Sequence, residues 1–187
     1  TEVLFSTTTT TTTVDLEVTV KPDVSLSWET TPTTTGIGPS ARGYHASTMA
    51  GDLMVVFGGS FSADDILGDL HALDTISWTW LTLTSASVST FAPPATRSPT
   101  MLALGNLIAI YGGGVLQDSN SVSASSDVYI LEVAPLQNGE IVWQASVSAN
   151  SGHPAHAKRR EHRVVALSTS LMLVYGGLGE TSATLDD

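Results

Sequence analysis

The chain has 187 residues, of which 42% are hydrophobic, enough apolar surface to build a sizeable core. Its 7 Lys and Arg against 18 Asp and Glu give a formal net charge of −11, which repels phosphate backbones and anionic membrane surfaces and excludes nucleic acid as an expected partner. Cys is absent, which excludes disulfides, a thiolate nucleophile and Cys-based metal sites.

The N-terminal segment 2–31 is interpreted as three short strands that belong to a longer repeat. Phe5 and Trp28 match Phe57 and Trp80 of the following segment, and each pair is 52 residues apart. A glycine pair that follows the aromatic residue in later copies is missing here. We therefore read the segment as an incomplete copy holding strands b, c and d of a four-stranded unit.

A run of seven threonines interrupts this segment, and two interpretations of it stay open. As a loop between strands it is merely polar, whereas as an acceptor of O-linked sugars it would be stiffened and shielded. The many Ser and Thr and the scarcity of Lys favour an extracellular or cell-surface location and leave a cytoplasmic one open. The candidate O-glycosylation sites are Thr7, Thr8, Thr9, Thr10, Thr11, Thr12 and Thr13.

The next segments predict two complete four-stranded units, over 38–84 and 92–149, and a final one that starts at 156 and holds only strands a and b. Each contains short apolar stretches without helical periodicity, separated by turn residues. The aromatic residue before each glycine pair is Phe57, Tyr111 or Tyr175, at spacings of 54 and 64 residues. This period fits a unit of roughly 50 residues with loop insertions.

Several coincident motifs carry a resemblance to a known repeat family. An Arg-x-x-His pattern lies in strand a, an aromatic-Gly-Gly ends strand b, and a Trp opens strand d. Strand c is led by aspartate, as in 69–73 and 127–131. The matching residues are Arg42, His45, Arg97, Arg159 and His162 for the first motif, Gly58, Gly59, Gly112, Gly113, Gly176 and Gly177 for the second, and Trp28, Trp80 and Trp143 for the third.

With these motifs the chain resembles kelch-repeat proteins over essentially its whole length, 1–187. The resemblance implies an all-β fold of antiparallel four-stranded kelch blades that form a partial or incomplete β-propeller. The motif residues are then structural, because glycines permit positive φ where the chain is crowded and Trp fills the space between blades. Departures are Thr100 in place of His, the absent N-terminal glycine pair and the long second blade.

No motif in the sequence predicts catalysis, a metal site or a cofactor. His153-x-x-His156 lies in a Pro- and Ala-containing stretch and is a weak metal signal. The basic run 158–163 is interpreted as a repeat arginine with solvated neighbours rather than an anion site. The glycines at 112–114 lack the following helix and Lys of a phosphate loop. The copper oxidases that carry kelch propellers depend on a Tyr linked to Cys, which this chain cannot supply.

The sequence therefore predicts a non-enzymatic protein-interaction module that binds a protein partner, or other copies of itself, through open strand edges or the propeller loops 59–68 and 114–126. The alternatives are a structural subunit of an O-glycosylated extracellular assembly or filament, and a non-catalytic part of a larger kelch-containing enzyme. No apolar run is long enough to predict a membrane span.

The incomplete units at 2–31 and 156–187 predict open strand edges. Such edges are templates for pairing. We expect the missing strands to come from a longer chain rather than from a neighbouring copy in a head-to-tail contact.

Overall fold

A computed structural model describes residues 4–6, 17–19, 32–62, 65–85, 91–118, 121–147 and 157–186. The chain divides into two compact units, 1–32 and 33–187. In the first, strand β1 (Leu4–Ser6) pairs antiparallel with β2 (Glu17–Thr19). The remainder of the predicted partial blade 2–31, including the threonine run and Trp28, lies outside the described residues.

The second unit consists almost entirely of short strands. One short helix, α1, spans Val133–Leu136. The strands in chain order are β3 (Ala46–Ala50), β4 (Leu53–Phe57), β5 (Leu70–Asp74), β6 (Thr79–Trp80), β7 (Thr84–Ser85), β8 (Thr96–Arg97), β9 (Thr100–Leu104), β10 (Leu107–Tyr111), β11 (Gly114–Asp118), β12 (Ser121–Ala124), β13 (Val128–Glu132), β14 (Glu140–Ile141), β15 (Trp143–Val147), β16 (Arg163–Ala166) and β17 (Met172–Tyr175).

Three antiparallel sheets repeat along this unit, and we call them the first, second and third blades. The first has the strand order β3-β4-β5-β6 and the second β9-β10-β13-β15. The third contains β16 and β17. The predicted all-β fold with antiparallel four-stranded sheets is confirmed.

Tight turns join the first two strands of the complete blades. Ala50 pairs with Leu53, so only Gly51 and Asp52 lie between β3 and β4. Gly51 has a φ of 60°. A glycine with positive φ at the first central position is the arrangement of a type II′ turn, whose twist matches the twist of the paired strands.

The long second blade differs from the sequence prediction in two places. Residues 114–126 were predicted as a loop, but β11 and β12 form there and make a three-stranded sheet with β8. That prediction is wrong because β8 offers unpaired backbone groups, which the segment satisfies by pairing. The helix α1 contains Pro135, which is tolerated because the first turn of a helix has no partner for its N–H groups.

The hydrophobic core is formed jointly by the first and second blades. Strand β3 lies beside β9, which in turn lies beside β16. Phe57 of β4 is 1% exposed, and its ring meets Trp143 of β15 edge-on at a centroid distance of 6.5 Å. The main buried side chains of this core are Leu53, Val55, Phe57, Met101, Ile108, Ile110, Leu131, Val133 and Leu136.

Within the described residues, no helix is long and apolar enough to cross a membrane.

Candidate functional site

Glycine pairs shape the centre of the molecule, where strand b of each blade ends. In the second blade, Gly112 and Gly113 have φ values of 64° and 94°, which side chains rarely allow. A Cβ atom on Gly113 would lie 2.5 Å from the Thr96 Cγ2 atom and 2.9 Å from the Pro99 backbone nitrogen. Glycine is therefore required both for the backbone angle and for the close approach.

The same glycines join each blade to the next through backbone hydrogen bonds. Gly59 N–H donates to the Thr96 carbonyl at 2.9 Å, and Thr96 N–H donates to the Leu67 carbonyl at 2.9 Å. The junction between the second and third blades repeats this pattern, in which Gly113 donates to Arg159 and Arg159 donates to Ser125, both at 2.9 Å. We call these paired bonds the seams.

Arg42 anchors the first blade beside its glycine pair. Its side chain is 4% exposed and forms a two-pronged ion pair with Asp69, at 2.5 Å and 2.8 Å. Nη1 also donates to the Gly58 carbonyl at 3.1 Å. These bonds from Arg42, together with one from His71, lower the pKa of Asp69 to about 2. The stabilisation from this carboxylate is present above its usual pKa and is lost as the pH falls toward 2.

Strand pairing defines which residues are equivalent in the three blades. Ala46, Thr100 and Arg163 each begin the first strand of their blade, opposite the aromatic residue that precedes the glycine pair. Four residues earlier in each blade stand Arg42, Thr96 and Arg159. The structure therefore places Thr96 at the Arg position of the second blade, and Arg97, which the sequence aligns with Arg42, lies one residue further on.

These three equivalent side chains share one contact. Each bonds to the carbonyl two residues upstream: Arg42 Nε to Ser40 at 3.1 Å, Arg159 Nε to Ala157 at 3.2 Å, and Thr96 Oγ1 to Pro94 at 2.7 Å. Arg159 Nη1 also donates to the Gly176 carbonyl at 3.0 Å, as Arg42 does to Gly58. The Thr96 side chain is shorter than arginine, and its hydroxyl forms only the bond to the upstream carbonyl.

His162 is buried between the second and third blades with 1% of its surface exposed. Its Nε2 atom lies 2.7 Å from the Thr100 hydroxyl, and its ring meets Tyr111 edge-on at 4.9 Å. Nδ1 is also buried and has no hydrogen-bond partner among the described residues. Burial, together with the positive charges of Arg159 and Arg163, lowers the pKa of His162 from the usual 6.5 to about 4.

His162→Gln is expected to flatten the acid side of the pH–stability curve. In the folded chain His162 takes up its proton only near pH 4, whereas the unfolded chain takes it up near 6.5. Stability therefore falls as the pH drops from 6.5 to 4, by up to about 3 kcal/mol. Denaturant unfolding between pH 4 and 7 measures this slope, which Gln removes.

His45→Gln is the matched control for this experiment. His45 occupies the equivalent position in the first blade but is exposed. A variant His45→Gln should keep the wild-type slope. An unchanged slope in His162→Gln would contradict the assignment.

A cavity of about 370 Å³ opens where the three blades meet, and we call it the hub cavity. The first residue of its lining in each blade has a positive φ: Tyr44 (57°), Ser98 (51°) and Glu161 (60°). Backbone bonds link them in series, from Ser98 N–H to the Tyr44 carbonyl at 2.7 Å and from Glu161 N–H to the Ser98 carbonyl at 3.4 Å. The complete lining is Tyr44, His45, Ser98, Pro99, Glu161, His162 and Arg163.

The sequence did not predict the hub cavity. Of its lining residues, only His45 and His162 were singled out, and they were interpreted as structural. Its residues come from equivalent stretches of two or three residues in three separate units, so no local motif marks them. The Arg-x-x-His residues were predicted in strand a, but Arg42 and His45 precede β3, and this places His45 at the cavity. The sequence signal that could have indicated the cavity is the residue directly before the motif histidine, which is Tyr44 before His45 and Glu161 before His162.

Of the predicted tryptophans, Trp80 and Trp143 are not part of this lining. Trp80 is half-buried, with its indole beside Gly38 and edge-on to His71 at 6.2 Å. His153 and His156 lie outside the described residues. Across the described part of the chain, no three His, Asp or Glu side chains are grouped as metal ligands.

Comparison with known proteins agrees with this architecture. A family model for the KLHDC2/KLHL20/DRC7 Kelch-repeats domain matches residues 6–187. Acyl-CoA-binding domain-containing proteins 4 and 5 of Arabidopsis thaliana are 28% and 26% identical, over 90% and 81% of this chain. The solved structure of YjhT is 14% identical, with a TM-score of 0.55 over 79% of this chain.

The chain spans only 23% and 21% of the two plant relatives and 37% of the YjhT chain. The likeness to YjhT shows the fold alone. The repeated blades, the seams and the fold likeness confirm the predicted partial β-propeller. Since the family model covers nearly the whole sequence, the chain belongs to the kelch-repeat family.

Proposed function

We propose that this chain is a non-enzymatic protein-interaction module that holds a protein partner over the hub cavity. Kelch repeats are generally interaction modules, and the cavity supplies a surface suited to that role. Tyr44 is 65% exposed at its rim, and Glu161 and Arg163 add charges of both signs. The convergence of three blades on one exposed, polar and aromatic cavity is the observation that supports this proposal.

The hub cavity is also rigid enough to select a partner. The seams and the Tyr44–Ser98–Glu161 backbone bonds fix the positions of its lining residues. A preorganised surface loses little conformational entropy when it binds. An exposed Tyr adds a large contact area at small entropic cost.

Selection of binders from a random peptide display library, followed by affinity measurement, tests this function. Tyr44→Ala should weaken the selected peptides about ten-fold or more, because aromatic anchors dominate such interfaces. Ile76→Ala is the matched control, since Ile76 is exposed at the turn between β5 and β6, at the other end of the strands. Peptides that lose affinity with Ile76→Ala but not with Tyr44→Ala would contradict the proposal.

The extracellular location and the O-glycans remain part of the proposal, supported by the composition. The support is the unbroken threonine run at 7–13 and the abundance of Ser and Thr. Intact mass of natural material should show additions in hexose-sized steps on the N-terminal peptide. A single unmodified mass would contradict the glycosylation.

A second candidate function, a structural subunit that assembles with copies of itself, is favoured by one apolar surface. On the third blade Leu173 and Tyr175 are exposed, whereas the equivalent Val55 and Phe57 are buried in the first blade. Exposed apolar surface of this kind favours association. Light scattering on the purified chain should then show oligomers that Tyr175→Ser reduces, and a monomer at all concentrations would exclude this function.

A further inference from the structure

The two seams follow one repeated scheme of backbone hydrogen bonds. The second glycine of a blade donates its N–H to the carbonyl of a residue in the next blade, which is Thr96 or Arg159. That residue donates its own N–H back, to the carbonyl of Leu67 in the first blade or Ser125 in the second. Leu67 and Ser125 in turn each donate to the carbonyl of the second glycine at 2.8 Å. A seam therefore takes one donor and one acceptor from each blade.

The third blade presents the donor and the acceptor of a further seam. Leu185 N–H donates to the Gly177 carbonyl at 2.9 Å, which places Leu185 at the position of Leu67 and Ser125. The Gly177 N–H and the Leu185 carbonyl form no hydrogen bond within the part of the chain that the structure describes. Backbone groups left open at the edge of a sheet are templates for pairing.

The first blade presents the complementary groups. Arg42 is equivalent to Thr96 and Arg159, which receive the two existing seams. The Arg42 side chain is bonded, but its backbone N–H and carbonyl form no hydrogen bond with any described residue. Arg42 therefore offers the acceptor that the Gly177 N–H needs and the donor that the Leu185 carbonyl needs.

The side chains beside these backbone groups match in the same way. At the seam between the second and third blades, Tyr111 is buried and its ring meets His162 edge-on at 4.9 Å. The equivalent of Tyr111 in the third blade is Tyr175, which is 65% exposed. The equivalent of His162 in the first blade is His45, which is also exposed. Tyr175 and His45 are thus the two halves of a contact that the chain already makes once.

Leu173 extends the open surface of the third blade. It lies two residues before Tyr175 on β17 and is 52% exposed. The residues at this position in the first and second blades, Val55 and Ala109, are buried. Covering an aliphatic side chain of this size favours association.

We propose that the third blade docks on the first blade of a second copy of this chain, where Gly177 N–H donates to the Arg42 carbonyl and Arg42 N–H donates to the Leu185 carbonyl. This rests on self-assembly, the second candidate function, and assigns the surfaces that perform it. The contact is head-to-tail because two different surfaces meet. The sequence pattern predicts that a longer chain covers such edges, whereas a second copy is favoured here because it satisfies the open groups of both blades at once.

Paired cysteine variants test this contact directly, because the chain has no Cys of its own. At the existing seam, the Thr100 hydroxyl lies 2.7 Å from His162 Nε2. The equivalent residues across the proposed contact are Arg163 and His45. Arg163→Cys mixed with His45→Cys and treated with a short bismaleimide should give a species of twice 19.5 kDa.

Three controls define the background of this cross-linking. Arg163→Cys alone and His45→Cys alone should not give the species, because the contact joins two different surfaces. Arg163→Cys mixed with Ile76→Cys should not give it either, since Ile76 is exposed at the other end of the strands. Cross-linking of the Arg163 and His45 variants that does not exceed these controls would overturn the contact.

Sedimentation equilibrium of the chain without cross-linker measures the contribution of the apolar surface. Leu173→Ser should raise the dissociation constant of the assembly about ten-fold or more, because one buried aliphatic side chain is lost. Ile76→Ser, which changes an exposed aliphatic residue outside the contact, should leave the constant unchanged. Equal effects of the two substitutions would contradict the assigned surface.

Failure of this contact is distinguishable from failure of self-assembly as such. Oligomers that persist in Leu173→Ser and show no cross-link between the Arg163 and His45 variants would leave self-assembly standing and overturn this contact. A monomer at every concentration would overturn both. The exposures of His45 and Tyr175 are those of the separate chain, so unfolding of their variants is measured at dilutions where light scattering shows a monomer.

Discussion

The variant Phe57→Ala is expected to lose about 3 to 5 kcal/mol of unfolding free energy, which urea or guanidinium titration measures. Phe57 is almost fully buried and contacts Trp143 of the neighbouring blade. Truncation leaves a cavity where two blades meet, so both the transfer free energy and the packing of the opposing ring are lost. The loss of stability in Phe57→Ala therefore measures the packing between the first and second blades as well as the packing of the first blade itself.

Tyr175→Ala is the matched control. Tyr175 holds the same position in the third blade, opposite Arg163, but 65% of its surface is exposed. Its removal should cost below about 1 kcal/mol. Equal losses at the two positions would mean that the third blade is covered in solution, and would contradict the burial described for Phe57 and Tyr175.

We expect Gly113→Ala to cost about 3 to 4 kcal/mol. The φ of 94° is strained for alanine, and the new methyl group would overlap Thr96 and the Pro99 nitrogen. The Pro99 nitrogen and the Arg97 carbonyl oxygen, which would lie 3.0 Å from the new methyl group, are backbone atoms and cannot withdraw easily. Thermal and denaturant unfolding of the purified variant measure the loss.

Gly51→Ala separates the two causes. Gly51 also has a positive φ, 60°, but a Cβ atom there would meet nothing within 4 Å. This variant should cost only about 1 to 2 kcal/mol, the price of the backbone angle alone. A loss in Gly51→Ala as large as the loss in Gly113→Ala would show that the close approach around Gly113 contributes nothing to the destabilisation.

The sequence predicts the sheets well because their signals are local. An apolar strand that ends in an aromatic residue and two glycines specifies strand b, as Phe57 and Tyr111 show, and the turn at Gly51 specifies its antiparallel neighbour. The spacing of these signals along the chain then predicts repeated units. The N-terminal segment lacks this glycine pair, and most of its predicted strands stay predictions.

The arrangement of the residues around the hub cavity could not be predicted from local sequence patterns in the same way. The alignment of Arg97 with Arg42 followed residue type, whereas the register is set by backbone pairing, which places Thr96 there instead. The cavity depends on how Tyr44 and Glu161, 117 residues apart, are brought together. Distances across blades arise from the seams, and no local pattern encodes them.

The seams also bear on the order in which the chain folds. Within a blade, β3 and β4 are joined by two residues, whereas the seam bond from Gly59 to Thr96 links residues 37 positions apart and that from Gly113 to Arg159 links residues 46 apart. Closing longer loops costs more entropy, and nonlocal contacts slow folding. During synthesis, the hairpin of the first blade can therefore form before Thr96 has left the ribosome, and docking of successive blades is the slower step.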